Sequence, residues 1–265
     1  MTDRNKYRAG RYDAIAPLKI FIGMLLFTLA LTALRASAQS DIAVPPTETI
    51  VARMAQARAD NRASFRPFVV TRNYKMFGKD EVNLKSEVSV EVTFVPPTLK
   101  KFSIGQSSGG IGERIVRRIL QSEVESAKDY TQTDYSTTNY DFRFLSSELA
   151  TDGSPSFVLE MLSKRKEKNL LRGKIWVDAK TYRIHRFEGV PAKAASWWVK
   201  EAYLVLLYSD VSGMWLQTGT EGTAKVRILG AHRLVSKNME YDFNPSDETR
   251  TATETQNLRI AGEQK

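Results

Sequence analysis

The sequence predicts an α+β domain built on one large, curved antiparallel sheet, carried behind an export leader. Three observations predict it. Val82, Leu84, Val88, Val90, Val92 and Phe94 alternate with Asn83, Lys85, Glu87, Ser89, Glu91 and Thr93, interrupted only by Ser86. Period two over that length means one dry face and one wet face, the pattern of an antiparallel sheet. Two helical patterns fall early, and from Tyr140 onward only strand patterns separated by turn signals remain. Strands in runs, with the helices apart from them, make α+β rather than repeating βαβ units.

The leader sets the compartment. Arg4, Lys6, Arg8, Arg11 and Lys19 are positive, Leu18 to Leu34 is an apolar run, and Ala36-Ser37-Ala38-Gln39 closes it. That order is a secretory signal peptide (1–38) cut after Ala38. The alternative is an uncut anchor, for which the run is slightly short of the about 20 residues a span needs. No Arg-Arg pair stands in the leader and no cysteine follows it, so neither the twin-arginine route nor a lipid anchor is expected. The mature chain is therefore expected in the periplasm or beyond.

Of the precursor's 39 basic and 30 acidic residues, the leader holds six and two, leaving 33 against 28, a net charge of +5. Mild, interspersed charge reads as a soluble surface and gives no nucleic-acid partner. The chain has no cysteine, which removes thiol catalysis, Cys-ligated zinc and redox chemistry and leaves the core to hold the domain unaided.

The elements follow in order. After a linker (39–46), Thr47 or Thr49 caps a short helix with Ile50, Val51, Met54 and Ala57 on one face, fading near Asn61. Phe68, Val70, Tyr74 and Met76 then alternate with polar residues, and Gly78 to Glu81 supplies a turn into the long strand. Pro96-Pro97 ends that strand, because proline cannot donate to a ladder. A short strand, Leu99 to Ile104, and a flexible Gly105–Gly110 loop lead to a second helix, about Ile111 to Ala127. Asp129 to Thr138 reads as a polar loop. Strands are expected at 140–147, 156–163, 171–178, 182–189, 196–209, 213–220, 222–230 and 232–243. Asp152-Gly153, Asp178–Thr181 and Asp210–Gly213 are hairpin turns. The tail, 244–265, is polar.

The order of these pieces resembles the LolA/LolB superfamily of bacterial periplasmic lipoprotein carriers. Phe157-Val-Leu-Glu-Met-Leu162, the Gly173-Lys-Ile-Trp-Val-Asp178 strand with Glu188-Gly189, and Pro191-Ala-Lys with Ser196-Trp197 carry the likeness. It covers roughly residues 47–243, is strongest from 140 onward, and is nearest to a secreted lipoprotein-sorting-like branch. The resemblance implies an open half-barrel: a strongly bent antiparallel sheet with an apolar concave face and helices over its mouth. It implies lipid or an acylated lipoprotein as partner, and no cofactor. The same half-barrel also occurs in periplasmic regulators of envelope-stress signalling, so an envelope membrane protein is a further partner it allows. One departure stands out. In the carriers an arginine that helps hold the lid shut precedes the proline after a long strand, and Pro96 occupies that place here.

Under that resemblance the inner-face candidates are Leu84, Val88, Val90, Val92 and Phe94, with Leu159, Met161 and Trp176 on the same cavity and Ile115 and Ile119 on the lid. Each is equally an ordinary core residue. Gly105-Gln106-Ser107-Ser108-Gly109 matches G-x-S-x-G and would make Ser107 the nucleophile of a hydrolase, but its strand carries Lys100-Lys101 and no β-α units follow. A hinge is the simpler reading. His185 and His232, the two histidines, sit in strand patterns beside arginines, and their spacing points to no metal site. Lys164 to Lys168 reads as a charged hairpin tip, with an anionic-lipid surface as the sharper alternative. Trp197-Trp198 puts aromatics on both faces of one strand.

The leader makes a direct prediction: protein recovered from the periplasm, weighed by mass spectrometry, begins at Gln39. Full-length chain in the membrane pellet would instead identify an anchor.

Overall fold

The computed structural model describes residues 44–244 except 79, 81, 151, 194–198 and 227–229. The leader and its cut site, Ser196-Trp197-Trp198 and the polar tail lie outside the described residues. The chain divides after Ala43, and every described residue belongs to the unit beginning at Val44.

Helix α1 (Thr47–Ala63) precedes strands β1 (Phe68–Phe77), β2 (Leu84–Val95) and β3 (Leu99–Ser107). Helix α2 (Gly110–Lys128) and a short 3-10 turn come next. Seven more strands follow among the described residues: β4 (Tyr140–Leu149), β5 (Pro155–Ser163), β6 (Leu171–Asp178), β7 (Ile184–Pro191), β8 (Val199–Val211), β9 (Met214–Val226) and β10 (Gly230–Asp242). The strands form a single ten-stranded sheet in the order β3-β2-β1-β10-β9-β8-β7-β6-β5-β4. All neighbours are antiparallel, with β10 returning to pair β1. Strands β3 and β4 are edges, so the sheet is open, an α+β architecture as the patterning predicts.

Directly paired residues share a face, and that fixes which side chains point inward. One row runs Phe144, Leu159, Ile175, Phe187, Leu206, Thr220, Ser236, Tyr74, Val88 across nine of the strands. Leu159, Ile175, Phe187, Tyr74 and Val88 are buried. Lys100 on β3 and Pro191 on β7 line one cavity, although six strand spacings separate them, about 29 Å in a flat sheet. The sheet is therefore bent around this face. Bulges at Thr71/Arg72, Met76/Phe77, Phe144/Ser146, Trp176/Val177 and Leu207/Tyr208 supply local kinks of the kind that bend strands.

Helix α1 buries Ile50 and Met54 and packs by β4. Its N-cap is Pro46, with no side-chain cap bond, so neither Thr47 nor Thr49 caps it. Helix α2 lays Val116 and Leu120 into a cluster with Phe68, Val70, Tyr74, Val88, Val90 and Val92. The Asp152, Asp178 and Asp210 turns form as expected, each carboxylate accepting from backbone N–H groups of its own turn.

Three expectations change. The strands expected at 213–220 and 222–230 are one strand, β9. Gly219 and Gly222 do not break it, because Leu207 and Leu204 of β8 pack over their bare α-carbons. Strand β3 runs on to Ser107, through half of the expected loop. Leu84 is not on the inner face: Met76 pairs Ser86 but Phe77 pairs Leu84, a bulge that skips Lys85. That extra residue turns Leu84 to the outer face, where it is 48% exposed.

The fit of α2 on β2 is tight at Gly112, where a β-carbon would lie 2.4 Å from Ser86 Cβ. Helical glycine-to-alanine changes ordinarily stabilise, by up to about 1 kcal/mol. Here Gly112→Ala is expected to destabilise by about 1–3 kcal/mol through overpacking. Ser86→Gly in the same chain should restore most of the loss, as read by denaturant midpoints of all four members of the cycle.

Candidate ligand cavity

A cavity of about 800 Å³ lies on the inner face of the sheet. Phe68, Val92 and Phe94 come from β1 and β2, Leu204 and Leu206 from β8, Leu216 from β9, and Leu234 and Tyr241 from β10. Ile119, Ser122, Glu123 and Ala127 of α2 and Thr133 to Tyr135 of the next loop also line it. Gly222 also lines it. It sits in an inner row with Gly173, Gly189, Leu204 and Leu234, so three side chains are missing from that row of the wall. At Gly189 a β-carbon would stand 2.1 Å from Arg172 O, a close backbone approach that only glycine permits.

Part of the polar wall is an ion cluster. Arg72 takes an inward position of β1 between Val70 and Tyr74, and its Nη1 donates to Glu123 Oε1 and Oε2 at 3.1 and 2.9 Å. Lys100, on the inward side of β3, donates to Glu123 Oε2 at 2.5 Å. The side chains of Arg72, Lys100 and Glu123 are 11%, 18% and 27% exposed. Burial alone would raise the Glu123 carboxyl, but Lys100 and Arg72 outweigh it and pull its pKa down to about 2. Burial pushes the Lys100 ammonium down, Glu123 opposes this, and repulsion by Arg72 adds to it, leaving a net lowering. Arg72 Nε and the Tyr74 hydroxyl are both buried, and these two side chains interact with one another, with Ser236 beside the hydroxyl.

Also in the cavity wall, the hydroxyls of Tyr135 and Tyr208 meet at 2.8 Å. Burial raises both, Tyr208 to about 12 and Tyr135 well above its ordinary value, so both are neutral donors and acceptors. The covering loop is fixed from α1: Arg58 and Arg62 stand 3.6 and 3.7 Å from Asp134, and Arg62 lies over the Tyr130 ring.

Of the residues singled out from the sequence, the structure brings Val92, Phe94 and Ile119 to this cavity. Val88 and Val90 are buried beneath Val116 and Leu120 instead. Leu159 and Met161 are buried on the inner face away from the cavity lining, and Ile115 is half-buried on α2, also outside it. Trp176 is on the outer face, with Arg186 beside its ring and its Nε1 donating to Glu148 at 3.0 Å. The reason is register: Trp176 pairs Val158 and Arg186, one residue out of step with the inward Ile175. Sequence reasoning passed over Arg72, Lys100 and Glu123. The available signal was a charge in an inward register position: Arg72 between Val70 and Tyr74, Lys100 two before Phe102, and Glu123 three after Leu120.

Ser107 Oγ donates to Glu113 at 2.9 Å and accepts from Gly109 N at 2.9 Å, so it ties the start of α2. His185 Nε2 instead meets Ser156 Oγ at 2.9 Å, on a strand six places from β3. No cluster of three His, Asp or Glu suited to a metal occurs among the described residues. The Lys164–Lys168 tip is partly neutralised: Lys164 pairs Asp141, and Arg165 donates to Glu167 and Asn139.

No family model and no curated protein matches the chain. It is similar in fold to solved structures. A domain classed with outer membrane lipoprotein-sorting proteins, from Vibrio parahaemolyticus, aligns with 76% of this chain and 96% of its own at 13% identity and a TM-score of 0.44. A DUF1329 family protein from Desulfovibrio piger gives 77% and 96% at 15% identity and a TM-score of 0.40. A LolA superfamily protein from Nitrosomonas europaea gives 77% and 96% at 11% identity and a TM-score of 0.39. These are likenesses of the chain trace, and the cavity stands on its own residues.

The buried trio sets an acid dependence. With its pKa held below the ordinary 4.5, ionised Glu123 contributes stability that is complete above about pH 4.5 and lost as pH falls toward 2. Glu123→Gln leaves two cations unneutralised and is expected to cost about 2–4 kcal/mol at pH 7, slightly below the range for fully buried pairs. The gap to wild type should narrow between pH 4.5 and pH 3 in denaturant titrations.

Proposed function

We propose that this protein is a non-enzymatic periplasmic binding protein, a carrier or sensor, for an apolar ligand of the lipid or acyl-chain class. The cavity is the observation that supports the reading. Its volume, about 800 Å³, falls in the range of small-ligand sites, and its wall is apolar with a few convergent polar groups. Burial would drive binding at about 0.8 kcal/mol per methylene, with little readout of the hydrocarbon itself. Ser107 is engaged in ordering α2, which supports binding rather than hydrolysis. The leader read from the sequence would deliver the chain to the periplasm, where lipid or an acylated lipoprotein is the partner of matching chemistry.

The test is direct. Wild-type protein stripped of endogenous lipid should bind a fluorescent long-chain fatty acid saturably, one per chain. Ile119 lies half-buried on α2 against the cavity, so Ile119→Trp fills space with little change to the core. Displacing about two methylenes of ligand should weaken binding about tenfold, with Tm within about 3 °C of wild type. Absence of saturable binding by wild type would remove the carrier reading.

A further inference from the structure

Resting on the carrier reading, we propose that Lys100 and Arg72 form an anion-binding end of the cavity. They would take the carboxylate or phosphate head of an amphipathic ligand whose hydrocarbon lies against Phe68, Phe94 and Leu234. The charge balance carries this. Arg58, Arg72, Lys100, Arg118 and Lys168 line the cavity against two carboxylates, Glu123 and Asp134. Asp134 is occupied by Arg58 and by Arg62. Glu123 places both oxygens on Arg72 and shares one of them with Lys100. One carboxylate thus serves two buried cations, and an unneutralised charge in a largely apolar space is costly.

The donors left over are of the right kind and in the right place. The Lys100 side chain lines the cavity and keeps 18% of its surface exposed, and an ammonium has three donors, of which one is seen to reach Glu123. Lys100 pairs Phe94, which pairs Phe68, in one inward row. A head held at Lys100 therefore has aromatic surface running directly from it.

The experiment compares ligands that share a chain and differ in head: hexadecanoate, hexadecyl phosphate and uncharged hexadecanol, with inorganic phosphate as competitor. Binding is measured by calorimetry on the full chain and on Lys100→Met and Lys100→Arg. A charge-assisted contact predicts that both anions bind wild type about tenfold or more tighter than the alcohol. The ratio should fall to about one in Lys100→Met and be kept in Lys100→Arg, a pattern that general damage to the fold would not produce. Equal binding of acid and alcohol by wild type overturns the anion site and leaves the carrier reading standing. Binding of none of the three overturns the carrier reading, and the site with it. Inorganic phosphate competing as strongly as hexadecyl phosphate would make a free anion the occupant and overturn the amphipathic ligand.

Discussion

A bent sheet with one dry face has to be covered, and the uneven way in which this one is covered decides the rest of the structure. Inward rows run across all ten strands, far more width than two helices can shield. Helix α2 packs on β2 and β3 at one end of the strand order, and α1 packs by β4 at the other. The middle strands are left with the bend of the sheet itself as cover. Leu204, Leu206, Leu216, Thr220, Gly222 and Leu234 accordingly face a cavity rather than a helix. The inner glycines at 173, 189 and 222 extend the effect, since large side chains there would fill the concavity or force the strands apart.

That arrangement places unusual weight on the contact between α2 and the sheet. Val116 and Leu120 supply the apolar half of it, against Val88 and Val90. Glu123, one turn further along, supplies the polar half by reaching Arg72 and Lys100 on two different strands. The other carboxylates of α2 are engaged elsewhere: Glu113 with Ser107 and Arg117, and Glu125 with Lys128. A buried ion pair adds little net stability compared with apolar packing, but removing one partner is strongly destabilising. The trio therefore works chiefly by fixing where α2 sits, and a misplaced helix would strand two cations in apolar space.

Much of the fold was legible because alternation reports burial directly. The Val88–Val92 segment reads as one face and is one, and the aspartate turns sit where the sequence puts them. Where legibility failed, backbone geometry intervened. Leu84 belongs to the same alternating run, yet a single skipped residue at Lys85 reverses its face. Trp176 looks like cavity lining by composition, but the pairing of Ile175 with Leu159 settles the parity of its strand. The break expected between 220 and 222 does not occur, and the flanking Gly219 and Gly222 accommodate leucines of the neighbouring strand. The polar part of the site was recorded in the sequence in a form that apolar-periodicity reading discards. Arg72 occupies the inward parity of β1 and was passed over because it is charged.

The two covering helices are tethered very differently. At the end of α1, Asn61 donates to Trp215 O at 2.9 Å and accepts from Trp215 N at 2.7 Å, serving β9 as a strand partner would. Arg58 and Arg62 add Asp134, so α1, the covering loop and the β8–β9 hairpin are held as a unit. Helix α2 enters through Gly109 and Gly110, both at positive φ, a backbone conformation glycine adopts at little cost, with Ser107 bonded to Glu113 and to Gly109 N. Beyond that tie, α2 is held by the Val116–Leu120 packing, the close approach of Gly112 to Ser86 and the Glu123 trio, and the trio also lines the cavity. The same two cations that seat the helix also line the cavity. If the cavity takes an anionic head as proposed, seating of the cover and affinity for that head would draw on the same pair of charges.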